Sequence, residues 1–399
     1  MTDIFEKFAH LGKTRQEIIT AAGISPFDVR IEEIISPSEA IINGRSCVLM
    51  GSNNYLGLTF DPTVIESACE SLRKEGTGTT GSRAANGSYS AHQQLEKKVA
   101  DFYGLRHAMV FTTGYQANLG FLSAIAGKDD VILIDADSHA SIYDGCKMSD
   151  ATVLHFKHND PADLERRLKR LPASQNKLVV TEGIYSMLGD RAPLTELIRV
   201  SKKYGAWTAV DEAHSFGVLG KTGRGLVEEE GLEDDVDFIL GTFSKSAGAI
   251  GGFCVSNHEG LNALRLVSRP YIFTASLPPS VVASVSATFD HIRSNPALIE
   301  KLWTNATFLY EQFQEMGLIL GPNISPVIAV SMPDFESGLR AWKHLLDNGV
   351  YVNLAAFVAV PGGGCLLRCS VCASHSQSDL DKVVEAFSVV AENLPANAS

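Results

Sequence analysis

A chain of 399 residues is longer than one ordinary domain and short for three, and its 45% apolar, 20% charged composition suits a globular protein with a sizeable core. With 34 Lys and Arg against 46 Asp and Glu, the net charge of −12 excludes the basic footprint of a nucleic-acid binder. No apolar run approaches the roughly 20 residues of a spanning helix, no secretory signal is legible at the N-terminus, and seven thinly spread cysteines fit a reducing compartment rather than a disulfide framework. The expectation is a cytoplasmic protein of enzyme size.

Residues 12–23 read as a helix, followed by an irregular connection through Pro26 and Pro37. Ala40 to Met50 reads as a hairpin turning at Asn43-Gly44, a dipeptide that accepts the positive φ angles of a tight turn. From about residue 62, short apolar runs alternate with helical patterns. The runs are His107–Phe111, Val131–Ile134, Thr152–Phe156, Leu178–Thr181, Trp207–Val210 and Phe238–Leu240. Helical patterns between them include Asp163–Leu171 and Leu194–Tyr204, and Asp160-Pro161 supplies a helix start. Such alternation predicts crossover units and an α/β fold with a mostly parallel sheet covered by helices. Past Pro278-Pro279 the pattern turns to long helices (280–294, 297–316), then strands near 326–331, 350–353 and 365–371, with helices near 335–348 and 377–393. The expected domains are an arm over 1–50, a large domain over 51–280, and a smaller α+β domain over 281–399.

Ligands of open α/β sheets sit beyond the carboxyl ends of the strands, and four suggestive segments fall there. They are Asp211-Glu-Ala-His214, Gly241-Thr-Phe-Ser-Lys-Ser246, Asp135-Ala-Asp-Ser-His139 and the turn Thr112-Thr-Gly-Tyr-Gln-Ala-Asn118. Taken singly each has a bland explanation: a strand-end Asp often caps a helix, and a lone Lys is usually solvated. Taken together they match the needs of pyridoxal 5′-phosphate (PLP). Lys245 could form a Schiff base, and Asp211 could keep the pyridine nitrogen protonated as an electron sink. Gly114, Tyr115, Thr242 and Ser244 could supply amides and hydroxyls to the phosphate, and His139 could stack on the ring. Cys365, Cys369, Cys372 and His375 imitate a metal-ligand spacing, but their segment reads as an apolar strand, so buried thiols are expected and no metal.

The ordered motifs resemble those of the α-oxoamine synthases, a family of fold-type I PLP enzymes. They include Gly51-Ser-Asn-Asn-Tyr-Leu-Gly57, Gly81-Ser-Arg83, Asp137 to Gly145, Glu182 to Asp190, Asp211 to Ser215, Thr242 to Ser246 and Leu367-Arg368. The resemblance implies a PLP-dependent transferase in which an amino acid and an acyl-CoA condense with loss of CO₂. Arg269 to Pro279 and Leu366 to Cys372 are similar to the bacterial branch that uses L-serine and a long-chain acyl-CoA to make 3-ketodihydrosphingosine, the first step of sphingolipid synthesis. Relatives condense alanine or glycine with shorter thioesters, and a catalytically silent partner subunit is the non-enzyme alternative, against which Lys245 speaks.

By the same resemblance, Lys245, His139 and Asp211 are catalytic. The cofactor is held by Gly114, Tyr115, His139, Asp211, His214, Thr242, Ser244 and Lys245, with Thr274 and Ser276 reaching the phosphate of the neighbouring subunit in a homodimer. Serine is met by Asn53, Ser82, His139 and Arg368, whose fork can grip a carboxylate. Some members of the branch carry an arginine shortly after the segment matching Val352-Asn353. Here Ala355 to Val360 is uncharged, leaving Arg368 as the carboxylate partner. An insoluble product also motivates weak peripheral contact with the inner membrane.

Overall fold

The computed structural model describes residues 3–27, 29–356 and 364–394. They form two compact units, one of residues 53–304 and one of residues up to 52 together with those from 305 onward. The sequence expectation put the boundary near 280. It falls at 304 because the helix Pro279–Ser294 packs on Pro62–Glu75 and Ser90–Tyr103 of the larger unit. The expected N-terminal arm likewise groups with the C-terminal residues.

The larger unit is built on a seven-stranded sheet. Its strand order is His107–Phe111, Gly252–Ser256, Phe238–Thr242, Trp207–Asp211, Lys177–Glu182, Val131–Asp135 and Thr152–Phe156. The last five run parallel, as the strand–helix alternation predicts. Gly252–Ser256, which the sequence reading left unassigned, is antiparallel to both neighbours. Parallel strands are covered on both faces, and the apolar runs Val-Ile-Leu-Ile and Leu-Val-Val are accordingly buried along their lengths. Phe121 of the helix Gly114–Ile125 packs into this core with Ile132, Ile134, Leu240 and Cys254. Four of the parallel strands end on a polar residue: Asp135, Glu182, Asp211 and Thr242. These strand ends build the site.

The smaller unit holds two sheets. One contains Ile31–Ser36, Glu39–Ile42, Arg45–Leu49 and Val350–Tyr351; the other contains Val327–Met332, Cys365–Ser370 and Asn353–Ala356. The hairpin turns at Asn43 and Gly44, both at positive φ. Ile31–Ser36 corrects the expected irregular connection: the segment between the prolines pairs as an edge strand. The helix expected over 12–23 spans Ala9–Ala22. Arg368 lies mid-strand opposite Ala329 and Asn353. Phe357 to Val360, the uncharged stretch singled out above, lie outside the described residues.

Candidate active site

Eight of the expected cofactor residues line one cavity of about 320 Å³ at the carboxyl ends of the strands. They are Gly114, Tyr115, His139, Asp211, His214, Thr242, Ser244 and Lys245. Asp211, the last residue of its strand, is 5% exposed. Its Oδ2 accepts from Asn118 Nδ2 at 2.7 Å and its Oδ1 from the Ala213 amide at 2.9 Å. Both donors stabilise the carboxylate form and fix its plane.

His139 sits just beyond the strand Val131–Asp135. Its Nδ1 accepts the Ser141 amide and lies 2.7 Å from the Ser141 hydroxyl, so the neutral ring carries its proton on Nε2. Burial lowers its pKa, the Asp211 charge opposes that, and Lys245 reinforces it. The result is a neutral imidazole. Its backbone amide donates to Glu182 Oε1, and burial followed by the nearby Asp211 charge holds Glu182 far above the usual carboxylate range. Glu182 also lines the cavity.

The turn opening the helix Gly114–Ile125 is capped by Thr113, whose hydroxyl accepts the Gln116 amide at 3.0 Å. A Cβ on Gly114 would stand 2.6 Å from Thr242 Cβ, and one on Gly252 would meet the Gly114 backbone at the same separation. Only glycine lets the helix start come this close to the strand end. Thr242 Oγ1 and Ser244 Oγ are 2.8 Å apart, completing a cradle of hydroxyls at the helix N-terminus. Tyr115 leans outward, donating its hydroxyl to Asp144.

His214 is buried, and its Nδ1 lies 2.7 Å from the Tyr55 hydroxyl, which also donates to Asn53 Oδ1 at 3.3 Å. Asn53 therefore joins the cavity residues through Tyr55. Thr274 accepts from Gln116 Nε2 at 3.4 Å, which ties it to the phosphate-type turn of its own chain. The Ser276 hydroxyl is 2.7 Å from Thr79 Oγ1, and its amide donates to Gly81. Ser82 accepts the Ala85 and Gly87 amides on its carbonyl. In the other unit, Arg368 is 6% exposed and donates to the Ser370 hydroxyl at 2.8 Å. Asn118, Ser141, Tyr55 and Glu182 are the site's supporting residues, and sequence reasoning assigned them no role. His375 accepts the Cys372 amide and meets the Leu49 carbonyl, so backbone groups occupy both its nitrogens.

The donor set suits PLP: a buried fixed carboxylate, a lysine, a neutral histidine, and a glycine-built helix start with two hydroxyls all face one cavity. The sequence pattern of the family "Aminotransferase class I and II" matches residues 45–387. The chain belongs to that family. Among curated members, it is 51% identical to a serine palmitoyltransferase of Caulobacter vibrioides over 96% of its length and 95% of that protein's. It is 48% identical to one of Sphingomonas paucimobilis over 96% and 92%. A solved serine palmitoyltransferase of Sphingomonas wittichii superposes with a TM-score of 0.96 at 48% identity, covering 99% of this chain and all of that one. Another solved with PLP gives 0.96 at 48% identity over 98% and 99%. The family also includes an 8-amino-7-oxononanoate synthase of Lysinibacillus sphaericus, 36% identical over 90% of this chain and 92% of that protein. The α-oxoamine synthase resemblance and the fold-type I architecture stand on these matches.

Proposed function

We propose that this chain is a PLP-dependent serine palmitoyltransferase, condensing L-serine with palmitoyl-CoA or a similar long-chain acyl-CoA to 3-ketodihydrosphingosine, CoA and CO₂. The observation that carries the reading is the cavity itself, where Lys245, Asp211 and His139 meet a glycine-built anion cradle. Bound there, PLP would supply the electron sink on which the serine α-carbon can lose a proton and later a carboxylate.

The protein's part follows from its own groups. The helix start at Gly114 and the hydroxyls of Thr242 and Ser244 would hold the phosphate. Asp211, held in place by Asn118 and the Ala213 amide, would hold a proton on the pyridine nitrogen. His214, backed by Tyr55, would hydrogen-bond the ring hydroxyl. His139 offers a neutral, flat ring and an Nε2 proton, which suit it to stack on the cofactor and to polarise a thioester carbonyl. Lys245 would take the serine α-proton and return it to the product. Arg368, with Asn53, would grip the serine carboxylate, and Ser82 would stand near the serine hydroxyl.

A homodimer would bring Thr274 and Ser276 to the phosphate of the neighbouring subunit. In its support, Leu266, Val267 and Phe273, just before those residues, are 80%, 58% and 73% exposed, more apolar surface than a lone chain usually leaves in one segment. Among the described residues no helix is long and apolar enough to cross a membrane, and a cytoplasmic place with weak peripheral membrane contact fits the insoluble product.

The test presents purified protein with serine, glycine, alanine and threonine, each with acyl-CoAs of several lengths. Product masses should show serine joined to a long acyl chain. A dominant product from alanine or glycine with a short acyl-CoA would overturn the substrate assignment.

A further inference from the structure

One hydrogen bond removed from the His139 segment lies a second polar cluster that the reaction as derived does not use. His158, in the turn after the strand Thr152–Phe156, has a carboxylate at each ring nitrogen. Nδ1 is 2.8 Å from Asp135 Oδ1, and Nε2 is 2.7 Å from Asp190 Oδ2. Asp135 is fully buried and Asp190 is 3% exposed. A neutral imidazole owns one N–H, so with both carboxylates ionised the two contacts are satisfied by the doubly protonated ring. Asp137 stands 3.8 Å from Nδ1, and the Tyr185 ring meets the imidazole edge-on at 4.5 Å between centroids. Burial by itself would lower the His158 pKa, but the hydrogen bonds to Asp135 and Asp190 reverse this and carry it to about 10.

The three elements clasped are neighbours in the sheet. Asp135 ends one strand, His158 follows the edge strand beside it, and Asp190 lies in the loop after Lys177–Glu182 on the other side. Asp135 also accepts the amides of Asp137 and Asn159, and the Asn159 side chain donates to Asp190 and to the Arg191 carbonyl. The segment from Asp135 to His139 is therefore pinned at its first residue by the clasp. At its last it is pinned by Glu182, from the same strand–loop element as Asp190.

We propose that His158, held as an imidazolium between Asp135 and Asp190, is a positioning residue that fixes the His139 ring in the active-site cavity by locking three strand ends together. The inference rests on the role of His139 proposed above. Without the cation, two buried carboxylates are left facing each other, and one must take up a proton or the loops must part. Either change loosens the His139 segment. A looser segment is also less buried, and burial is what chiefly holds the His139 pKa down.

The test uses the full chain with ¹⁵N-labelled histidine, first without cofactor. At about pH 8.5, two units above the ordinary histidine value, one ring should still show two protonated nitrogens, and that signal should vanish in His158→Gln. The His139 resonances of the variant should titrate at higher pH than in the wild type. In the loaded protein, kcat should fall by roughly tenfold to a hundredfold, the cost of a small misplacement, while KM for serine changes less, since Arg368 and Asn53 keep their hold on the carboxylate. The acid limb of the kcat profile should move up with His139. Asp190→Asn, which keeps the shape of its side chain, should reproduce these shifts more weakly. A His158 ring that titrates near neutrality overturns the inference. So does an unchanged His139 titration and kcat in both variants alongside a lowered melting temperature. Turnover retained in Lys245→Ala would instead strike the proposed function and leave the clasp standing.

Discussion

The two units handle buried polar groups in opposite ways. In the larger one, charges come in groups: His158 between Asp135 and Asp190, and Asp211 with Asn118, Glu182 and His139 close by. In the smaller one, uncharged groups meet them. Arg368 rests on the Ser370 hydroxyl, and His375 on a backbone amide and a carbonyl. The cause is topological. Parallel strands deliver all their carboxyl ends to one edge of the sheet, so residues distant in the chain gather there, whereas the antiparallel strand Cys365–Ser370 places Arg368 mid-strand, opposite Ala329 and Asn353. Grouped charges can tune one another.

The comparison breaks first at Lys245. Lys245→Ala should remove turnover altogether, read as loss of the condensation product by mass. Surviving multiple turnover would mean that the grouped site does no proton transfer through this lysine. Asp211→Asn keeps the shape and discards the charge; turnover should fall by roughly 10²–10³-fold, the scale of a donor or charge aimed at developing charge, with the phosphate cradle still able to retain PLP. Arg368→Ala tests the buried charge of the smaller unit. Serine binding should weaken by about 1.5–3 kcal/mol, the worth of a charged hydrogen bond, with little change in the absorbance of bound PLP.

The smallest effects set one histidine of each unit against the other. His375 is buried and held neutral, with its pKa pushed down to about 4, chiefly by burial. Its contribution to stability is present above the unfolded value of about 6.5 and is lost as pH falls toward 4. His158, raised to about 10, contributes fully below about 6.5 and loses that contribution as pH rises through 10. Unfolding free energies measured across both windows should show slopes worth a few kcal/mol each, of opposite sign. His375→Gln should flatten the acid side and His158→Gln the alkaline side; matching slopes in the two variants would dissolve the contrast.

Much of this arrangement was legible in the sequence, and for a physical reason. Parallel strands buried on both faces are continuous apolar runs, so their ends, where Asp211, His139 and Lys245 stand, are easily placed. Antiparallel Gly252–Ser256 escaped because its run follows directly on glycines that read as loop. Ile31–Ser36 escaped because, as a largely exposed edge strand, it lacks the alternation that burial imposes. The supporting residues were harder still. Asn118 meets Asp211 across 93 residues and Tyr55 meets His214 across 159, pairings set by the order of strands in the sheet and invisible to local spacing. His158 reads as one more histidine in a turn until the strand order brings two carboxylates to it.

The thiols carry a last consequence. Cys47, Cys146, Cys254, Cys365, Cys369 and Cys372 are buried, and Cys69 alone is partly exposed. Burial lifts Cys254 and Cys369 far from their ionised forms. The seven cysteines thus form a built-in clock for the opening of the chain. A maleimide dye added to native protein should label one position promptly and the other six only as fast as the fold lets them out, four in the smaller unit and two in the larger. The rates at the buried six would rank, without any mutation, which unit opens first.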